Sequence, residues 1–126
     1  MAINLDCFRD VLRFFGSLED DNIIIHYQAI PLADYSEQEI LDTCVALLDA
    51  GLIDGVGEEV IRDERDADLN LIFNVEIDFY YRQMKEDGYA FLRIINEEEK
   101  FEQLKKQLEG FPQADGLIIK MIAHTL

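Results

Sequence analysis

Ser36-Glu37-Gln38-Glu39-Ile40-Leu41-Asp42-Thr43-Cys44-Val45-Ala46-Leu47-Leu48-Asp49-Ala50-Gly51-Leu52-Ile53 is the stretch that decides the fold. Ser36 and Glu39 form a capping box. The hydroxyl can accept from the Glu39 amide and the Glu39 carboxylate can reach back to the Ser36 amide, so a helix begins here. Ile40, Leu41, Cys44, Val45, Leu47 and Leu48 give it a broad apolar stripe. Gly51 supplies the left-handed stop, and Leu52-Ile53 opens a strand that Gly55 and Gly57 interrupt.

Upstream, Leu5, Phe8, Val11, Leu12, Phe15 and Leu18 recur at intervals of three and four, the stripe of an amphipathic helix with Asn4 as N-cap and Gly16 near its end. Ile23-Ile24-Ile25-His26-Tyr27, between the acidic turn Glu19-Asp20-Asp21-Asn22 and Pro31, reads as a strand of five residues. Downstream, Ile61 to Asp68 is charged and lacks apolar periodicity, as a hairpin tip or longer loop would. Val75, Ile77, Phe79 and Tyr81 then alternate with Asn74, Glu76, Asp78 and Tyr80, so one strand face belongs to the core and the other to water. Three helical signals follow. One runs from about Lys85 to Ile95; a second is capped by Asn96, turns Phe101, Leu104 and Leu108 inward, and ends by Gly110 and Pro112. The last runs from Ala114 to Leu126, with Leu117, Ile118, Met121 and Ile122 on one side, a stripe that suits the core or the seam of a homodimer.

Helix, short strand, capped helix, strand, charged tip and strand make a small α+β unit in the order of a winged helix. The expected architecture is a single winged-helix-like domain over residues 1–126, with the C-terminal helices of 84–126 packed on it. A separate helix before the capped one has no room between Pro31 and Ser36, so that element is missing or compressed.

Tyr35-Ser36-Glu37-Gln38-Glu39-Ile40, followed by Leu47-Leu48-Asp49-Ala50-Gly51-Leu52-Ile53, resembles the conserved stretch of the uncharacterised bacterial and prophage family catalogued as domain-of-unknown-function family 2513. Met84 to Ile95, where Gly88 and Tyr89 precede Phe91-Leu92, is similar to that family's strand-to-helix segment. The resemblance implies a winged helix and a phage or mobile-element setting, and brings no activity with it.

Charge bears directly on what such a domain can bind. The chain has 126 residues, 49% of them apolar, with 27 acids against 11 bases, hence 27 − 11 = 16 net negative charges. This is a folding composition of anionic character rather than a disordered tail. From Phe14 through Ile61 there is no Lys or Arg, while Glu19, Asp20, Asp21, Asp34, Glu37, Glu39, Asp42, Asp49, Asp54, Glu58 and Glu59 all fall there. The helix that would enter a major groove lies inside that window, where phosphate contacts need positive or neutral donors. Nucleic acid is therefore not the expected partner.

The favoured reading is a non-catalytic protein that binds a basic protein, acting as a DNA mimic would. Its candidate contact residues are Glu37, Glu39, Asp42, Asp49, Glu76, Asp78 and the outward Tyr80. The alternative is a DNA-binding regulator that uses the wing residues Arg62 and Arg65 with Arg82, Lys85, Arg93, Lys100, Lys105, Lys106 and Lys120 gathered on one surface.

Chemistry has few footholds. No Gly-rich phosphate loop, nucleophile elbow or His-Glu-x-x-His occurs, and no cofactor is expected. Asp66-Ala-Asp68-Leu-Asn70 has the first spacings of a calcium loop, but Leu71 stands where the loop needs Gly and Ile77 where it needs Glu. His26 and His124 lack any acid or nucleophile signalled nearby, and Cys7 and Cys44 fall on apolar stripes as small core residues. The chain has no apolar run of the ~20 residues a membrane span needs and no signal-peptide pattern at its start, so a cytoplasmic protein without membrane contact is expected.

Overall fold

The computed structural model describes residues 3–18, 23–65, 67–111 and 113–126; for residues 62–64 and 72–75 it describes the backbone alone. Glu19 to Asn22, Asp66 and Pro112 lie outside the described residues. The element order is α1 (Leu5–Gly16), β1 (Ile25–His26), a 3-10 turn (Tyr27–Ala29), α2 (Glu37–Asp49), β2 (Ile53–Arg65), β3 (Leu71–Met84), α3 (Glu86–Ile95), α4 (Glu98–Leu108) and α5 (Gly116–Ala123). The protein is thus α+β, with five helices and a three-stranded antiparallel sheet in the order β1-β3-β2 among the described residues.

Local chemistry accounts for the helix boundaries. Asn4 caps α1 by accepting from the amides of Asp6 and Cys7. Both halves of the Ser36/Glu39 box are made at the start of α2. Gly51, at φ 72°, takes the left-handed conformation that ends it. No basic residue lies in the last turn of α2, and Lys120 of α5 fills that place: its Nζ donates to the Ala50 carbonyl at 3.0 Å and to Asp87 of α3 at 2.9 Å. One cation therefore joins three helices.

Phe8, Val11, Leu12 and Phe15 of α1 are buried with Leu47 of α2, Phe79 and Tyr81 of β3, Phe91 and Ile95 of α3, Phe101 and Leu104 of α4 and Ile119 of α5 in one continuous core. Phe15 stacks on Tyr81 with ring centroids 3.9 Å apart, and Phe8 meets Phe91 edge-on at 5.6 Å. Glycine permits two close approaches. A Cβ on Gly88 would lie 2.1 Å from the Leu52 carbonyl oxygen, and one on Gly116 2.3 Å from that of Ala46.

Several sequence expectations need correction. The strand expected over Ile23–Tyr27 is confined to Ile25–His26, because the His26 side chain accepts from the Gln28 amide and turns the chain into the 3-10 turn. The charged segment Ile61–Asp68, expected as a hairpin tip or longer loop, lies at the end of a hairpin but is strand as far as Arg65. β2 runs to Arg65, paired with Leu71, and among the described residues between them Ala67 and Asp68 form a turn. Apolar periodicity failed to signal it because a two-stranded ribbon surrounded by water satisfies its backbone without burying a face. Asn96 does not cap α4, whose N-cap is Glu97; it closes α3 and accepts from Arg13 Nε at 2.7 Å. Finally, α5 buries Gly116, Ile119 and Ala123, while Leu117, Ile118 and Met121 are exposed.

Candidate partner-binding surface

At about 3.3 Å per residue, the thirteen residues of β2 form with β3 a ribbon roughly 40 Å long. Its base belongs to the core, and among the described side chains those farther out do not. Phe79 is 0% exposed, but Ile77, two residues outward on the same strand face, is 46% exposed, and Ile61 is 66% exposed. Glu58, Glu59 and Glu76 are exposed along it. Glu58 is paired with Asp78 across the ribbon, an opposition of like charges that supplies no cross-strand attraction.

The candidate contact residues separate into groups. Glu37 and Asp49 are exposed at opposite ends of α2, Glu37 within reach of Gln28 Nε2 at 3.3 Å. Asp42, between them, accepts from Gln38 at 2.9 Å. Glu39 is committed to the protein's own structure: besides closing its capping box it accepts from Asn4 Nδ2 at 2.9 Å, which holds the start of α1 to the start of α2. The Asn4 amide first, and then the Ser36 amide, hold the Glu39 carboxyl below its ordinary pKa. Asp78 is committed too, hydrogen-bonded to His26 Nε2. Tyr80 is partly exposed and meets the His26 ring edge-on at 4.9 Å.

His26 is thus engaged at both nitrogens, Nε2 with Asp78 and Nδ1 with the Gln28 amide. It locks β1 onto β3. This pair spans a sequence separation of 52 residues, which single-sequence spacing does not reveal. Among the described residues no group of three or more His, Cys, Asp or Glu could hold a metal ion. Cys7 and Cys44 are buried free thiols, and burial pushes the Cys44 thiol up to about 12.

A groove of about 410 Å³ joins the acidic start of α2 to the ribbon. Tyr27, Gln28, Glu37, Gln38, Leu41, Glu76 and Ile77 line it. Glu76 and Ile77 are neighbours and point to opposite faces of the strand, so a groove that both line runs along the strand's edge. β2 occupies the other edge of β3 over this length. The chemistry of Tyr27 reports the local charge: burial, then the negative charges of Glu37, Asp78 and Glu76, raise its phenol above the ordinary value.

Several of the bases assigned to the alternative reading serve internal contacts. Lys105 pairs with Asp6 at 2.9 Å and, with Arg9, lies against the Phe101 ring. Arg9 also pairs with Glu98, Lys100 with Glu97 and Lys120 with Asp87. Arg65 donates to the Leu69 carbonyl at 3.1 Å and so closes its own ribbon tip. Arg62 is placed by its backbone alone, opposite Asn74. Arg82, Lys85, Arg93 and Lys106 are exposed. Among the described residues no helix is long and apolar enough to cross a membrane. In comparisons with known proteins, no family model, curated protein or solved structure matches the chain.

Proposed function

We propose that the chain is a non-catalytic acidic protein of winged-helix type that binds a basic protein partner, in the manner of a DNA mimic, within a phage or mobile element. The observation that carries this reading is the placement of charge: the outer face of α2 and the ribbon present Glu37, Asp42, Asp49, Glu58, Glu59 and Glu76, with no Lys or Arg from Phe14 through Ile61. A surface of one sign raises the encounter rate with a partner of the other. The sheet order β1-β3-β2 with α1 and α2 before the ribbon supports the winged-helix reading. The phage or mobile-element setting rests on the sequence resemblance of Tyr35–Ile40 and Leu47–Ile53 to domain-of-unknown-function family 2513 alone. Three of the seven C-terminal bases, Lys100, Lys105 and Lys120, pair with the protein's own carboxylates, which weighs against DNA binding through them.

Retention of host proteins on immobilised protein, at low and then high salt, tests the reading. Basic nucleic-acid-handling proteins should be retained at low salt, released as salt rises, and rebind when purified. Recovery of no basic protein under either condition would remove the support.

A further inference from the structure

β1 pairs with β3 only at Ile25–Tyr81 and His26–Tyr80, after which the chain leaves the sheet through the 3-10 turn. From Phe79 outward no described strand pairs with that edge of β3, whereas β2 pairs with the other edge to Leu71. Alternate residues of an antiparallel strand aim both amide and carbonyl to one side, so this edge carries backbone donors and acceptors suited to another strand. It is flanked by the groove at the start of α2. From Phe73 to Phe79 the residues of β3 alternate in kind: Phe73, Val75, Ile77 and Phe79 on one parity, Asn74, Glu76 and Asp78 on the other.

Resting on the proposed preference for a basic partner, we propose that this edge takes up an extended cationic segment of that partner as an added strand, in the line that β1 would have followed. Main-chain pairing supplies the attachment and the alternation of β3 supplies the selection. The incoming segment therefore alternates apolar residues with Lys or Arg, in a groove lined by the apolar Leu41 and Ile77 and the acidic Glu37 and Glu76. Charge complementarity decides the occupant: a second copy of this chain would bring another 16 net negative charges to an already acidic groove.

The test is fluorescence anisotropy with a labelled peptide of about eight alternating Lys and Val residues, long enough to cover an ordinary strand. Its comparators are a peptide with the same residues in two blocks and an alternating peptide N-methylated on every second amide, in each of the two phases. The alternating peptide should bind about tenfold more tightly than the block peptide and one N-methylated phase, a difference of about 1.4 kcal/mol. Ile77→Lys and, separately, the exposed groove variant Gln38→Lys should weaken it by a similar factor, while Ile61→Lys, the same charge change on the ribbon outside the groove, should change it less than about twofold. Circular dichroism checks that each variant folds.

Equal binding of all the peptides by all the variants would overturn the strand-addition proposal and leave the acidic-surface reading standing. Binding of no cationic peptide at low salt would overturn both. Concentration-dependent self-association abolished by Ile77→Lys would make a second copy the occupant and overturn the cationic segment.

Discussion

Glu39 closes its own helix and holds a second one. Its carboxylate accepts from Ser36 and Asn4, so ionisation is favoured in the folded chain, and its pKa lies below the ordinary value. For a carboxyl whose folded pKa is depressed, the stabilisation is fully present above the unfolded pKa and is lost as pH falls through the folded one. Glu39→Gln should therefore be less stable than the parent at neutral pH, and the gap between their urea midpoints should shrink as pH falls through the carboxylate range. A constant gap across that range would assign the effect to shape rather than charge. The capping box was legible because its two partners are three residues apart and both types are specific to the motif. The Asn4 contact, 35 residues away, and the His26–Asp78 lock were not, since spacing along the chain carries no signal for a pair made by tertiary structure.

At the scale of the element, α5 shows where hydrophobic pattern and packing diverge. Gly116-Leu117-Ile118-Ile119-Lys120-Met121-Ile122-Ala123 has large apolar residues on most sides, so pattern alone favours the largest stripe. The helix instead approaches α2 so closely that Gly116 meets the Ala46 carbonyl, and small residues flank Ile119 on the buried face. Ile119→Ala should cost about 2–4 kcal/mol in equilibrium denaturation. Met121→Lys, at a position 63% exposed, should stay within about 0.5 kcal/mol. The reverse ranking would restore the stripe read from sequence. The ribbon teaches the same distinction. Alternation in β3 identifies which side of the strand is apolar, but how far the core reaches depends on helices that cover Phe79 and Tyr81 and leave Ile77 partly open.

For the whole molecule, charge was the most legible property and its location the most consequential. The base-free window from Phe14 through Ile61 is plain in the sequence, and it falls on α2 and most of β2. The fate of the C-terminal bases was not visible, because whether Lys105 faces solvent or Asp6 depends on how α4 docks against α1. A protein of this order and charge should be repelled by a phosphate backbone where DNA-binding winged helices gain affinity. The most direct measurement is the anisotropy of a labelled duplex, random or operator-like, titrated with the protein at moderate salt. A flat response is expected; a micromolar or tighter complex that weakens as salt rises would contradict it.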